Sequence, residues 1–247
     1  MKSRNLNHLN SSLVLTKCVN ENQFALTFDD GPNQITAAHL DFFERKNITV
    51  TFFFIANRLE NPYMNKIVKK ALEKGHQIGN HNYYHQNVTK NLENATEIDI
   101  LEYMKKSTRV FYKKLGVAPK YFRPPFGDIT NRISEVLRKF NFQIALWNLD
   151  TMDWYWEGDS RDKLQIVKAF TDELIDNKNR SSSYISLQHE KSKNLEAEFE
   201  RLNYIIDLIR MKGYEIVPVW KCLNDVSPYF NEDELALLTP SRIKLSV

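Results

Sequence analysis

From Gln23 onward the chain alternates short apolar runs with longer stretches in which apolar residues recur every three or four positions. The short runs cover 24–28, 50–55, 77–79, 121–123, 143–147, 184–187 and 215–219. Several are rich in aromatic and β-branched residues, the composition of strands buried on both faces. Between them the spacing predicts helices over 35–46, 65–74, 95–115, 130–140, 163–177 and 195–212. Helix punctuation agrees: Asn61-Pro62 opens one helix, Gly75 and Gly116 close two, and Gly213 ends the last.

No Pro/Gly/Ser linker, internal repeat or low-complexity stretch divides this series. It reads as one α/β unit over residues 21–230, with an extension at 1–20 and a tail at 231–247. The tail carries acidic residues, an apolar patch and a basic end, and is expected to be a docking helix or a disordered extension. Strands alternating with helices call for a parallel sheet, either a (β/α) barrel or a doubly wound sheet. In both, side chains that do chemistry collect at the carboxyl ends of the strands.

Those ends are where the reactive residue types fall. The first strand finishes in Asp29-Asp30-Gly31-Pro32, two adjacent carboxylates and a strand stop. Taken alone, such a pair is an Asp-capped turn; at a strand end it also suits one metal ligand beside one base. The third strand leads into His81-Asn82-Tyr83-Tyr84-His85, and an i, i+4 spacing on a helical turn would put both imidazoles on one side. With one carboxylate, two imidazoles make a site for a divalent ion with open positions, which activates water for hydrolysis.

The fourth strand ends in Arg123-Pro124-Pro125-Phe126-Gly127, a rigid loop behind a permanently charged fork that can pair with and orient a carboxylate. Backbone N–H groups of the same loop can face an oxyanion. The fifth delivers Asp150-Thr151-Met152-Asp153-Trp154-Tyr155-Trp156, acidic groups beside aromatic faces, either core anchors or a platform for sugar rings. The sixth ends in Leu187-Gln188-His189-Glu190, where His189 is either a general acid or a structural histidine.

Composition narrows the partners. The net charge of +3 over 247 residues is spread along the chain without a Lys/Arg stripe, so no nucleic-acid partner is expected. No apolar run approaches the roughly 18 to 20 residues that span a bilayer, and Leu13-Val14-Leu15 is too short for the apolar centre of a secretion signal. The two cysteines, Cys18 and Cys222, are either separate thiols or one bridge across a long loop. Asn-x-Ser/Thr sites begin at Asn10, Asn47, Asn87, Asn94 and Asn179, as suits a secreted chain.

Together these five motifs, in order from Phe24 to about Val219, resemble the signature of the polysaccharide deacetylases, the NodB-homology family or carbohydrate esterase family four, and chitin deacetylases most of all. The resemblance implies a distorted, incomplete (β/α) barrel of about seven parallel strands. It implies that Asp29 is the general base, that Asp30, His81 and His85 bind one divalent metal ion, and that Arg123 tethers Asp29. His189 becomes the general acid, oriented by Asp153. Pro124, Pro125, Phe126 and Gly127 form an acetyl-binding wall in which the Phe126 N–H meets the oxyanion, and Trp154 and Leu187 line the groove and the methyl pocket.

Zinc is the ion expected, although the ligand set also suits cobalt, nickel or iron(II). The implied substrate is an N-acetylglucosamine oligomer or polymer, chitin ahead of peptidoglycan, acted on by a monomer that is secreted or held at the cell wall. The position of Cys18 resembles fungal-type chitin deacetylases and so implies a Cys18–Cys222 disulfide and an oxidising compartment. Two residues depart from the pattern: Asn82 stands where Ser or Thr is usual, and Glu190 where Asp is common. They leave room for a second reading, a wall-binding protein that keeps fold and metal but has lost turnover, and a third is an amidohydrolase or esterase for small non-sugar substrates.

Overall fold

The computed structural model describes residue 10 and residues 13–156, 162–176, 181–190 and 194–238. Its strands are β1 (Gln23–Ala25), β2 (Thr27–Gly31), β3 (Thr51–Phe54), β4 (Gln77–Asn80), β5 (Tyr121–Phe122), β6 (Gln143–Ile144), β7 (Leu149–Asp150), β8 (Tyr184–His189) and β9 (Glu215–Ile216). All strand pairs are parallel, in the order β6-β5-β4-β3-β2-β8-β1-β9 with β7 also on β8.

The run 24–28 keeps one register against β8 throughout, Phe24 opposite Tyr184 and Phe28 opposite Gln188. Its other edge changes partner at Leu26, pairing with β9 below and β3 above, so one predicted strand becomes β1 and β2. The run 143–147 is also interrupted. β6 lies on β5 at one end of the order, β7 lies on β8, and residues 145–148 join them without a ladder. The ring is therefore a distorted barrel left open at that joint, and the run 215–219 gives a two-residue strand followed by a helical turn, Val219–Cys222.

Helices occupy Thr36–Arg45, Pro62–Glu73, Glu97–Leu115, Asn131–Lys139, Asp162–Thr171 and Leu195–Met211, close to expectation. Pro62 is helical because Asn61 caps the N–H groups of Tyr63 and Met64. Thr96 and Asp99 form a reciprocal capping box, and Gly116 ends that helix at φ 75°, a conformation that suits glycine.

Alternation along the strands sorts the core. Phe28, Phe52 and Phe54 point outward into the layer beneath the helices, whereas Ala25, Phe53, Tyr121 and Ile185 form an inner cluster. Gly79 makes room for this inner layer, because a Cβ there would lie 2.4 Å from the Phe53 ring. The segment before β1 is tied to the same cluster: Leu15 bridges Ala145, and Cys18 forms a disulfide with Cys222. Tail residues Glu232–Leu238 form a helix whose Leu235 and Leu238 join a second core cluster with Phe230 and Ile133; residues 239–247 lie outside the described residues.

Candidate active site

The carboxyl end of β2 carries a bulge. Asp29 is paired with Phe53 and Gly31 with Phe54, so Asp30 is the extra residue, at φ 69°. Asp29 is 2% exposed, and the bulge lets the next carboxylate leave the strand's alternation and meet the histidines.

Residues 81–87 form no helical turn, so the i, i+4 geometry expected for His81 and His85 is replaced by a loop. Asn82 at φ 70° and His85 at φ 57° fold it back until the two rings lie 4.9 Å apart. Asn82 suits this left-handed position, and its amide donates to the Gln86 carbonyl at 3.1 Å and to the Tyr103 hydroxyl at 2.8 Å.

The Asp30 carboxylate oxygen Oδ1 lies 3.4 Å from His81 Nε2 and 3.1 Å from His85 Nε2. One ligand atom from each of Asp30, His81 and His85 falls within 4.8 Å of the others, and these residues fit a divalent ion chemically. His81 Nδ1 donates to the Arg123 carbonyl at 2.8 Å, which leaves Nε2 as the lone-pair donor. Burial and the nearby His81 charge hold the His85 imidazole below its ordinary pKa, although Asp30 and Asp29 pull the other way, which favours the neutral ring that ligation needs. Burial works against a charged Asp30, yet a hydrogen bond and charge from His81, then the charges of His189 and His85, hold its carboxyl well below the usual range.

Arg123 fills the upper end of the barrel interior and is fully buried. Its Nη1 donates to Asp29 Oδ1 at 2.9 Å and to Thr27 Oγ1 at 2.5 Å, while Nε and Nη2 reach the carbonyls of Ala145 and Leu146 at 3.0 and 3.1 Å. Both carbonyls belong to the segment between β6 and β7, outside either strand. Burial presses the guanidinium below its ordinary pKa and Asp29 opposes it. Lysine could not serve four acceptors in this fork.

His189 sits opposite Asp29 in the β2–β8 register. Asp153 accepts from its Nδ1 at 2.7 Å and from its backbone N–H at 2.6 Å, fixing the ring. Burial disfavours the protonated ring, but Asp153, with Asp29 and Asp30 behind it, raises the His189 pKa to about 9. A dication at Asp30 would bring that value down.

Asp29, Asp30, His81, His85 and His189 open into one cleft of about 830 Å³, walled by Pro124, Phe126, Gly127, Trp154 and Leu187. Phe126 is 55% exposed and Trp154 41% exposed, so both stand at the rim. Pro125 departs from the expected wall: it is buried in the 3-10 turn Pro125–Gly127 rather than lining the cleft. Gly127 is required twice over, by φ 63° and because a Cβ would lie 2.6 Å from the Trp147 ring.

The family-level comparison decides what this arrangement belongs to: the polysaccharide deacetylase model matches residues 16–145. The chain belongs to the polysaccharide deacetylase family. A peptidoglycan-N-acetylglucosamine deacetylase of Bacillus cereus is 33% identical over 200 residues, covering 80% of this chain and 67% of that protein. A chitin deacetylase of Amylomyces rouxii is 27% identical over 224 residues, 89% of this chain and 50% of its own length, so the chain spans half of that relative. Among solved structures, the chitin deacetylase of Colletotrichum lindemuthianum superposes with a TM-score of 0.78 at 26% identity, covering 87% of this chain and 94% of that one.

Part of the cleft in this member of the polysaccharide deacetylase family was not legible in the sequence. Asn87, Lys90, Trp147 and Asp150 also line the cleft. Trp147 and Asp150 stand in or beside motifs, whereas Asn87 is marked in the sequence only as an Asn-x-Ser/Thr site and nothing marks Lys90. The Asn87 side chain caps Lys90 N–H at 2.9 Å and donates to Asp128 at 2.7 Å, so this glycosylation motif serves the loop; Asn179 lies outside the described residues.

The departure at Glu190 is likewise answered by buried partners. Its Oε1 lies 3.1 Å from His39 Nδ1, and its Oε2 accepts from Thr36 at 3.0 Å. Glu198 lies on the other side of His39 at 3.6 Å and is paired with Arg201. Gly31 leaves the necessary space, since a Cβ there would fall 1.8 Å from Glu190 Oε2.

Proposed function

We propose that this chain hydrolyses the N-acetyl group of N-acetylglucosamine residues in chitin or a related polysaccharide, releasing acetate. The observation that carries the reading is the register of Asp29 opposite His189 above a shared cleft. One carboxylate is held by Arg123, one imidazole by Asp153, and the three candidate ligands lie beside them. A divalent ion held by Asp30, His81 and His85, with zinc expected, would polarise the acetyl carbonyl and lower the pKa of a water beside it.

Asp29 takes a proton from that water through Oδ2, while Arg123 occupies Oδ1 and fixes the carboxylate plane. Water oxygen bonds to the acetyl carbon, and the Phe126 backbone N–H donates to the developing oxyanion. His189 delivers its proton to the sugar nitrogen as the C–N bond breaks, leaving acetate and a glucosamine unit. Leu187 lies where an acetyl methyl can pack, and Trp154 offers an aromatic face at the rim.

The names of the relatives share deacetylation and divide between chitin and peptidoglycan. The disulfide from Cys18 to Cys222, a cysteine placement that resembles fungal-type chitin deacetylases, favours chitin. Exposed Phe126 and Trp154 at the rim favour a polymer over a small enclosed substrate. The wall-binding alternative rested on Asn82 and Glu190, and both are hydrogen-bonded in fitted surroundings. The test is acetate release from N-acetylglucosamine oligomers of increasing length, with metal-loaded wild type beside Asp29→Asn. Release that rises with length and vanishes in the variant supports the reading. Oligomer binding without release under zinc, cobalt, nickel or iron(II) would return the protein to the binding class.

A further inference from the structure

The three candidate ligands come from two separate pieces of chain, and one short element touches both. Directly after β3, residues Ala56–Glu60 form a 3-10 turn. On one side of it, the β2 bulge takes the Asp30 carbonyl out of the β2–β3 ladder: Asp29 pairs with Phe53, and the next ladder acceptor is the Gly31 carbonyl, which receives Ile55 N–H at 2.8 Å. A backbone carbonyl removed from its ladder needs another donor. Arg58 supplies it, donating from Nη1 to the Asp30 carbonyl.

On the other side, the same turn holds the histidine loop. Ala56 N–H donates to the Asn82 carbonyl at 2.9 Å and Asn57 N–H to the Tyr83 carbonyl at 3.1 Å. These contacts lie between His81 and His85. Asp30 at φ 69° occupies a conformation that a non-glycine residue adopts at a cost, and the Arg58 contact falls on that residue.

We propose that Arg58 is a positioning residue for the metal: it holds the bulged backbone of Asp30 at the separation from the histidine loop that a single ion requires. The inference rests on the reading of Asp30, His81 and His85 as a divalent-cation site. Arg58 forms no ion pair among the described residues and does not line the cleft. By charge alone it repels a dication. Positioning and electrostatics therefore predict opposite signs when the charge is removed.

The experiment is competitive chelator titration of zinc on the full chain for wild type, Arg58→Met, Arg58→Lys and His81→Ala, with melting of each metal-free protein alongside. Arg58→Met keeps the apolar stem and loses the donor; it is expected to bind zinc about 10-fold more weakly, the low end for losing a group that orients a ligand. Arg58→Lys retains charge and a donor, and is expected to lose less. Unchanged or tighter binding by Arg58→Met, with His81→Ala strongly weakened, overturns the role of Arg58 and leaves the metal site standing. Undiminished zinc binding by His81→Ala removes the metal site and this inference together. If Arg58→Met does not fold, Arg58→Gln is read by the same sign.

Discussion

His81 Nδ1 stands 2.8 Å from the backbone carbonyl of Arg123, and because a carbonyl only accepts, the His81 proton must sit on that nitrogen. The same Arg123 holds Asp29 through its side chain at 2.9 Å. One residue at the end of β5 thus orients the proposed base with its guanidinium and a proposed metal ligand with its backbone.

Substituting the Arg123 side chain separates these two duties. Arg123→Met leaves Asp29 buried without its cation, and breaking a buried pair from one side costs about 3–5 kcal/mol. Chemical denaturation is expected to show a loss of that size. Arg123→Lys keeps a charge but not the fork, so turnover should fall on the order of 100-fold, while zinc affinity, expected to follow the backbone carbonyl rather than the side chain, should stay near wild type.

On the proposed mechanism, Asp153 is expected to set the alkaline limit of activity. Burial disfavours the protonated His189 ring and the carboxylate favours it, so removing the carboxylate lowers the His189 pKa from about 9. In Asp153→Asn the alkaline limb of the profile of kcat/KM against pH is expected to move to lower pH, with a lower maximum. Titration of the His189 ring by NMR in metal-free protein should show the same direction, and an unchanged midpoint would remove Asp153 from this role.

The buried His39 group gives stability a signature above neutrality. Burial opposes its charge, but Glu190 and Glu198 raise its pKa to about 9, above the ordinary 6.5. A group raised on folding contributes fully below its unfolded value, and the contribution is lost as pH climbs through the folded one. Unfolding free energy should therefore fall between about pH 6.5 and 9 by a few kcal/mol, on the order of 1.4 kcal/mol per pKa unit, and the fall should be largely absent in His39→Gln. Glu198, held at about 2 against burial by Arg201 and His39, acts oppositely: its contribution is present above about 4.5 and lost as pH drops towards 2.

The Cys18–Cys222 bridge closes a separation of 204 residues. Chain entropy puts the stabilisation from so long a loop at roughly 5 kcal/mol, and removal of native bridges commonly costs about 2–5. Cys18→Ser with Cys222→Ser is expected to lower unfolding free energy within that range, measured by denaturant titration. Because the bridge lies in the inner cluster, away from the cleft residues, the zinc affinity of the folded protein should be unchanged.

The alternating pattern of short apolar runs and helical spacings was enough to read a parallel α/β sheet, because burying both faces of a strand demands a continuous apolar run and connecting parallel strands demands a crossover. The motifs at the run ends then placed Asp29, Asp30, His81, Arg123, Asp153 and His189 at one end of that sheet, since the strand direction is shared. What sequence could not decide is geometry set by partners far along the chain. The pair His81 and His85 looks helical by spacing, yet Tyr103 and Gln86 hold Asn82 in a left-handed loop instead. Glu190 looked like a defect until folding set it against His39, 151 residues away. The break at 145–148 is invisible in an apolar run, and the carbonyls of Ala145 and Leu146 within it accept from Arg123, 22 and 23 residues away. Local propensity and periodicity are written residue by residue; the meeting of a buried charge with its acceptors is decided only when the chain closes around it.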